Sequence, residues 1–335
     1  MESLFGKTLY QIRQLTTSEG MPLFTASQIA SWLYKSGVCD ISSMTNISME
    51  NRRRLSEKYK TGLCVPSDVS VSADGTKKYL FTLEGGQRIE AAYIPDGSRA
   101  TLCLSSQAGC RMGCNFCATS RMGFKGNLTA GEIVNQMAAL PDRESLTNIV
   151  FMGMGEPLDN YDNVLNAIEI LTASWGYGLS PARITVSTAG IIPNLKRLIE
   201  ESNVHIAVSL HSPFSTEREA MMPVERKYPI AEVVTLLKNY DFSQRRRLSF
   251  EYIIMEGVND SPMQIRELRR LLNGLKCRIN LIRFHTIPGS EYASPSDKKV
   301  IAFRDALTAK GIHTTIRASR GEDIQAACGL LATGG

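Results

Sequence analysis

From residue 100 onward, short apolar runs that resemble strands alternate with longer stretches of helical periodicity. Such repeated β–α units form parallel strands joined by right-handed crossovers. Six or seven units favour a full or partial (β/α) barrel over a dinucleotide-binding sheet, although periodicity alone does not exclude an open sheet. No G-x-G-x-x-G or Walker A motif follows any strand. The strand-like runs are residues 101–104, 148–152, 184–187, 205–210, 249–255, 278–283 and 313–317.

Two different patterns precede these units. Residues 1–62 have the spacing of short helices and contain a basic run at 52–54, which predicts a helical accessory module. RNA docking is the functional hypothesis for this module, and simple packing is the alternative. Residues 63–98 contain three strand-like segments separated by glycine turns, and they predict a short β extension. The barrel is then expected to occupy residues 99–335.

Composition constrains the cellular setting of the chain only broadly. The 335 residues are 43% hydrophobic, which is ordinary for a globular domain, and no apolar run approaches the roughly 20 residues of a membrane span. No secretory signal is evident at Met1, so we expect a cytoplasmic protein without membrane contact. In a reducing compartment, eight cysteines favour metal binding or catalysis over disulfides. The net charge of +5 permits a nucleic-acid partner without requiring one.

Three cysteines, Cys110, Cys114 and Cys117, follow the first predicted barrel strand with the spacing C-x3-C-x2-C. Clustered thiolates repel one another and are stable only around a cation. A closed zinc site takes four protein ligands, and an electron-transfer [4Fe–4S] cluster also takes four. Three thiolates leave one iron of a four-iron cluster open to a small molecule. The motif is similar to the signature of radical S-adenosylmethionine (SAM) enzymes; buried or zinc-binding cysteines are the alternatives.

Other unusual residues follow the later strands. In a barrel the βα loops converge at the carboxyl ends of the strands, where the chemistry gathers. Each residue also has a plainer interpretation: a turn glycine, a helix-start acid, a serine that satisfies the backbone, or a hydrogen-bonded histidine. Their shared location nevertheless predicts one common mouth. The residues concerned are Gly155 and Glu156 after the second strand, Ser187 at the third, Ser209, Leu210 and His211 at the fourth, and His285 after the sixth.

Two further cysteines stand apart from the motif. Cys103 ends the first barrel strand, and Cys328 lies just beyond the seventh. They are either two core cysteines or a nucleophile with its resolving thiol. The remaining three, Cys39, Cys64 and Cys277, are expected to be buried, apolar-like thiols.

With these residues identified, the chain resembles the RlmN/Cfr branch of radical SAM RNA methyltransferases. The resemblance covers most of the chain, in the order that the family has. It implies an α/β fold: a partial (β/α)6-type radical SAM barrel with a small N-terminal helical domain and a short β extension. The matching segments are residues 88–95, 100–110, 110–117, 151–157, 184–188, 209–212 and 323–329.

The resemblance also implies the cofactors and their ligands. A [4Fe–4S] cluster would be held by Cys110, Cys114 and Cys117, with SAM on the fourth iron. At the position of His285 the family often has asparagine, and a histidine can still donate or accept a hydrogen bond. The residues implied to contact SAM are Gly155, Glu156, Ser187, Ser209, Leu210, His211 and His285.

The implied reaction forms 2-methyladenosine in 23S rRNA, at the peptidyl-transferase centre, and in tRNA beside the anticodon. One SAM methylates Cys328, and a second yields the radical that activates the S-methyl group for addition to adenine. Cys103 then resolves the adduct and leaves a Cys103–Cys328 disulfide for reduction, with Glu90 as the proton acceptor. An electron donor such as flavodoxin and a monomeric enzyme are expected.

Three alternatives remain open at this point. Residues 209–214 and 190–193 are close to the Cfr type, which methylates C8 instead of C2. A radical SAM enzyme that acts on a substrate other than RNA would share the cysteine motif. A zinc-stabilised RNA-binding module without catalysis would leave the strand-end residues unexplained.

Overall fold

The computed structural model describes residues 1–244, 246–287 and 289–332. The last three residues of the predicted 99–335 unit therefore lie outside the described residues. The N-terminal region is helical, as predicted. Thr8 caps its first helix through a capping box with Gln11. The elements of this region are β1 (Glu2–Ser3), α1 (Leu9–Ser18), α2 (Thr25–Ser31), a π-helical turn (Trp32–Ser36), α3 (Met49–Lys58) and β2 (Tyr59–Lys60).

The predicted β extension is present as three antiparallel strands. They are β3 (Asp68–Val71), β4 (Lys77–Thr82) and β5 (Arg88–Asp96). β5 pairs antiparallel with the first barrel strand, so the extension continues the main sheet and is not a separate layer. The turn between β3 and β4, residues 72–76, consequently lies at a fixed place relative to the barrel.

All seven predicted barrel strands are found, and they form one parallel array in sequence order. A short hairpin of β7 (Gln107–Ala108) and β8 (Gly126–Asn127) brackets the cysteine motif. The seven parallel strands are β6 (Arg99–Cys103), β9 (Asn148–Phe151), β10 (Ile184–Thr188), β11 (His205–Ser209), β12 (Leu248–Ile254), β13 (Arg278–Arg283) and β14 (His313–Ile316).

Helices connect the parallel strands, and their apolar faces cover the sheet. Because the inner strands are enclosed on both faces, they are almost continuously buried; every residue of β12 is buried. No helix in the described ranges combines the length and hydrophobicity needed to cross a bilayer. The helices are α4 (Ala118–Arg121), α5 (Ala130–Ala138), α6 (Tyr161–Thr172), α7 (Ile192–Glu201), α8 (Ser215–Met221), α9 (Ile230–Leu237), α10 (Pro262–Leu272) and α11 (Asp297–Ala309).

The parallel array curls into a partial barrel. Thr101 of β6 and Arg317, just past β14, line the same cavity, although no pairing joins β6 to β14 in the described residues. The first and last strands therefore face each other across an unclosed gap. The expected partial barrel is confirmed. The expectation of buried thiols is wrong for Cys39 and Cys64, which are exposed.

A buried arginine fastens the carboxyl ends of the strands. Arg218 of α8 donates to the carbonyl oxygens of Ala189 (2.8 Å), Ser209 (2.9 Å) and Leu210 (3.1 Å) and forms an ion pair with Glu225. Both charged side chains are at most 1% exposed. A buried pair of this kind stabilises a fold mainly through the penalty for breaking it.

Replacing Arg218 by methionine should lower the free energy of unfolding by about 3–5 kcal/mol, because Glu225 and three carbonyls would lose a buried donor. Urea denaturation would measure this change. The control is Arg226→Met, since Arg226 is 72% exposed in its pair with Glu219 and should contribute less than about 1 kcal/mol. Equal effects of the two substitutions would contradict the assignment of Arg218 as the fastening residue.

Candidate active site

The three motif cysteines lie together at the carboxyl ends of the strands. They line a cavity of about 150 Å³, here called the cysteine cavity. Most of the other predicted site residues line it as well, so one mouth does gather the strand ends. These residues are Gly155, Glu156, Ser187, Ser209, His211 and Cys328.

Burial strongly favours the neutral form of the three thiols. It raises the pKa of Cys110 to about 12 and raises the pKa of Cys114 and Cys117 above the ordinary value. Neighbouring thiols of the motif add to the rise at Cys110 and Cys114. Because thiolates are the metal-binding form, only a strongly bound cation would keep three of them charged here.

The chemistry of the donor set is compatible with an iron–sulfur cluster. Within the described ranges, no three His, Cys, Asp or Glu side chains converge closely enough to hold one ion. A zinc site needs its ligands around a common centre. In a cluster each thiolate binds a different iron, and the ligands need no common centre. The three soft sulfur donors of this cavity therefore suit a cluster.

Apolar side chains surround the cysteine cavity. Phe116, Met222, Ile253 and Phe284 belong to a hydrophobic cluster against which Cys114 and Cys328 pack. This shell makes much of the cavity wall apolar. It also strengthens every electrostatic interaction inside, because the local dielectric is low.

His211 is held rigidly as a neutral ring. Its φ of 56° is left-handed, and Nδ1 accepts a 3.0 Å bond from the Ile253 N–H. Burial, with the nearby charge of Arg218, lowers the pKa of His211 to about 3. The ring packs edge-on against Phe116, with centroids 5.0 Å apart. With Nδ1 used as an acceptor, the proton resides on Nε2.

Glu156 links two loops of the mouth. Its Oε1 accepts from the Leu158 N–H (3.0 Å) and the Thr188 hydroxyl (2.7 Å), and its Oε2 accepts from the Ala189 N–H (2.8 Å). Burial raises the pKa of Glu156 to about 7, although these three donors oppose the rise. The carboxylate thus lies at the start of a helix, and one of its oxygens, Oε2, accepts only one hydrogen bond. That oxygen retains capacity to accept from a ligand.

Gly155 brings the backbone close to its neighbours. Its φ is +95°, and a Cβ built there would lie 2.5 Å from Cβ of Gln107. The backbone N–H of Glu156 bonds to Oε1 of Gln107 at 2.9 Å. Only glycine permits this approach of the second βα loop to the residues after the first strand.

A second cavity, here called the side cavity, lies in the gap between β6 and β14. It has a volume of about 310 Å³ and is lined by Cys103, His285 and Cys328, with Arg99 and Arg320 among its charged residues. Cys328 and Arg317 line both cavities. Cys328 thus lies on the wall that separates the side cavity from the cysteine cavity.

The side cavity places two predicted residues away from the motif cysteines. His285 lies there, within 3.1 Å of the Ser319 hydroxyl and 3.5 Å of a Glu322 carboxylate oxygen. Cys103 is buried, and burial raises its pKa to about 12. Cys103 and Cys328 are both free thiols, so the expected disulfide is not present in this state of the protein.

Two predicted site residues line neither cavity. Leu210 is fully buried in the core, where its carbonyl accepts from Arg218. Glu90 is buried beside Lys78, whose Nζ lies 3.2 Å from Oε1, and burial raises the pKa of Glu90 despite that neighbour. Its other carboxylate oxygen is buried without a hydrogen-bond partner in the described residues.

The structure adds two residues that the sequence pattern did not identify. Glu251 of β12 lines the cysteine cavity and accepts a 2.7 Å bond from the Asn280 amide. Arg317 lies 3.5 Å from Glu251 and donates to the sulfur of Met152 at 2.8 Å. A charged residue within a buried, apolar strand is the signal that would have revealed Glu251.

The partial barrel and its cysteine-lined mouth define a radical SAM protein. The model of the Radical SAM superfamily matches residues 104–271. A crystal structure of a radical SAM methyltransferase from Sphaerobacter thermophilus superimposes with a TM-score of 0.92 at 40% sequence identity, covering 99% of both chains.

The N-terminal region and the full-length relatives indicate which family of radical SAM proteins the chain belongs to. The model of the ribosomal RNA large subunit methyltransferase N-terminal domain matches residues 3–60. The chain is 56% identical over 330 residues to a probable dual-specificity RNA methyltransferase RlmN of Bacteroides fragilis, covering 98% of this chain and 96% of that one. It is 42% identical to the dual-specificity RNA methyltransferase RlmN of Syntrophus aciditrophicus, covering 97% and 94%. The chain belongs to the RlmN family of radical SAM RNA methyltransferases.

Gly155→Ala should destabilise the protein by about 1–3 kcal/mol, since the new methyl group meets Gln107 and the φ is unfavourable for alanine. Chemical denaturation would measure the loss. Gly126→Ala is the matched control, because its Cβ would meet nothing within 4 Å. A Gly155→Ala protein as stable as wild type would show that this close approach is not needed.

Proposed function

We propose that this RNA methyltransferase forms 2-methyladenosine in 23S rRNA and in tRNA, through an S-methylated Cys328 and at the expense of two SAM molecules. The observation that carries the proposal is the position of Cys328 between the two cavities. A thiol there can meet a methyl donor in the cysteine cavity and a second thiol, Cys103, in the side cavity.

Cys110, Cys114 and Cys117 are proposed to hold a [4Fe–4S] cluster, with SAM on the iron that lacks a protein ligand. When bound, this cluster supplies the electron that cleaves the sulfonium of SAM. Glu156, through the oxygen that accepts only one protein donor, is the proposed acceptor for the SAM amino group. The Nε2–H of His211 and the hydroxyls of Ser187 and Ser209 are the remaining proposed contacts in this cavity.

Cys328 is the proposed carbon carrier. Its Sγ takes the methyl group of one SAM and loses a proton. The methyl group would then give up a hydrogen atom to the radical derived from the second SAM, and the resulting methylene carbon forms a bond to C2 of adenine. The adduct gives back the one electron that cleaved SAM, and C2 gives up its proton. Cys103 attacks Sγ of Cys328, the bond between Sγ and the methylene carbon breaks, and its electron pair stays on the methylene carbon, which takes a proton and becomes the new methyl group. The products are the methylated base and a Cys103–Cys328 disulfide, which a thiol reductant must reduce.

Glu90 is the proposed acceptor of the proton that adenine C2 loses. Burial raises the pKa of its carboxyl, which strengthens it as a base. Oε2 has no well-formed hydrogen bond in the described residues, although the backbone N–H of Ala332 acts on the carboxyl and lowers its pKa. Because Glu90 lines neither cavity here, this role requires a rearrangement of the adjoining backbone when substrate binds.

RNA binding is proposed from the family names and from the match of residues 3–60. The basic run at 52–54 supports it only weakly. Arg53 pairs with Glu50 and Glu57, and Arg54 pairs with Glu19. This run is therefore largely neutralised within its own helix and its neighbour. A flavodoxin-like electron donor, a cytoplasmic location and a monomeric state stay predictions.

Anaerobic reconstitution should load about four irons per chain, and Cys114→Ala should lose most of the iron and the SAM cleavage that depends on it. Iron analysis and liquid chromatography of 5′-deoxyadenosine would measure both. Cys64→Ala is the control, because Cys64 is exposed and lines neither cavity. Zinc without iron in the wild-type protein would overturn the cofactor assignment.

Wild-type enzyme with rRNA or tRNA, SAM and a strong reductant should yield 2-methyladenosine, detected by mass spectrometry of digested nucleosides. Cys328→Ala should abolish methylation yet retain bound SAM, because it removes only the carrier sulfur. Cys103→Ala should accumulate a protein–RNA adduct, because the thiol that resolves the adduct is absent. 8-Methyladenosine as the product would refute the C2 assignment, and methylation by Cys328→Ala would refute the carrier step.

A further inference from the structure

The segment that carries Cys328 contains no helix or strand. After β14 ends at Ile316, residues 317–332 consist of turns and irregular backbone. Regular hydrogen bonding therefore does not fix the position of Cys328. Its position must come from contacts that this segment makes with other parts of the fold.

The turn between β3 and β4 supplies one set of these contacts. The Ser72 hydroxyl donates to Oδ1 of Asp323 at 2.6 Å, and the Ala73 N–H donates to Oδ2 at 3.2 Å. In return, the Gly321 N–H donates to Oδ2 of Asp74 at 2.9 Å. Each of the two chain segments thus contributes one aspartate that accepts hydrogen bonds from the other. These residues are here called the clasp: Ser72, Ala73, Asp74, Gly321 and Asp323.

The clasp is closely packed at its centre. Gly321 has a φ of +64°, and a Cβ there would lie 2.8 Å from Cγ2 of Thr76 and 2.9 Å from Cβ of Ala326. Ser72, Thr76 and Gly321 are buried, whereas the two aspartates are exposed. The segment cannot move toward the turn, and the two carboxylates oppose its movement away.

The other end of the segment is tied to the cysteine motif. The Ala118 N–H donates to the Gly329 carbonyl at 2.8 Å, and the Thr119 hydroxyl donates to the Leu331 carbonyl at 2.5 Å. Ala118 and Thr119 directly follow Cys117. Cys328 therefore lies between an anchor on the β extension and an anchor on the motif loop.

We propose that Asp74 and Asp323 are positioning residues for Cys328: the clasp holds the carrier thiol on the wall between the cysteine cavity and the side cavity. The inference rests on the proposed function, in which Cys328 carries the methyl group. Transfer between two sulfur atoms and a base carbon requires close alignment, and an error of about 1 Å can cost on the order of 100-fold in rate.

This role differs from simple stabilisation of the fold. Both aspartates are exposed, and exposed polar contacts contribute little to global stability. Other contacts still hold the segment, among them Arg320 with Asp96 and Ser319 with His285. Loss of the clasp should therefore release Cys328 locally while the barrel remains folded.

The test compares the double substitution Asp74→Ala/Asp323→Ala with Asp68→Ala in the cluster-loaded, full-length enzyme. Asp68 is an exposed aspartate at the start of β3 and serves as the matched control. The clasp variant should alkylate Cys328 with iodoacetamide faster than wild type, as measured by mass spectrometry of the Cys328 peptide. Its RNA methylation rate should fall by about 10–100-fold, with iron content and melting temperature close to those of wild type.

Asp323→Asn keeps a side-chain acceptor for the Ser72 hydroxyl. Its methylation rate should therefore be higher than that of the double alanine variant. If the double variant unfolds, Ser72→Ala, which removes the donor to Asp323 and the acceptor of the Asp74 N–H but keeps both carboxylates, should give the same pattern on a smaller scale. Unchanged alkylation of Cys328 in the folded clasp variants would overturn the proposal. Absence of methyladenosine with wild type would refute the proposed function alone, because the alkylation comparison does not depend on methyl transfer.

Discussion

The mouth of this barrel depends on a guanidinium that is completely enclosed by protein. Arg218 donates to carbonyl oxygens that follow β10 and end β11, and Glu225 balances its charge. Those carbonyls belong to the loops that present Ser209 and His211 to the cysteine cavity. A buried charge is costly when it is unpaired, so each bond in this set constrains the others. The loops are consequently fixed before any ligand arrives.

Glu156 extends the same constraint to the preceding loop. Its carboxylate joins the loop after β9 to Thr188 and Ala189 at the end of β10, next to the carbonyl that Arg218 holds. Polar cross-links of this kind set the shape of the cavity, and the side chains of Phe116, Met222 and Ile253 make its wall largely apolar. A preorganised, largely apolar site suits the proposed chemistry, in which a reactive carbon species must meet one partner only.

The sequence predicted the barrel well because parallel strands leave a strong apolar signal and their ends converge by geometry. It predicted the motif cysteines, Ser187, Ser209 and His211 at one mouth for the same reason. Leu210, which directly follows the end of β11 at Ser209, has its side chain buried in the core and does not line the cysteine cavity; its contact with SAM stays a prediction. His285 lies in the side cavity. The sequence did not predict this place, because the gap between β6 and β14 cannot be located from periodicity. Arg218 was not predicted, because a charged residue in a short polar helix such as α8 ordinarily lies on the surface.

The proposed carrier role of Cys328 is compatible with the irregular backbone on which this residue lies. A side chain at a strand end points in one direction, because pairing with both neighbours fixes its Cα–Cβ bond. In the proposed mechanism this thiol faces two cavities in turn, which needs a backbone that can adjust by a few dihedral rotations. Such a backbone also loses alignment easily, since no ladder of hydrogen bonds restores it. Anchors on both sides, at the β3–β4 turn and at Ala118–Thr119, limit this motion to the residues around Cys328.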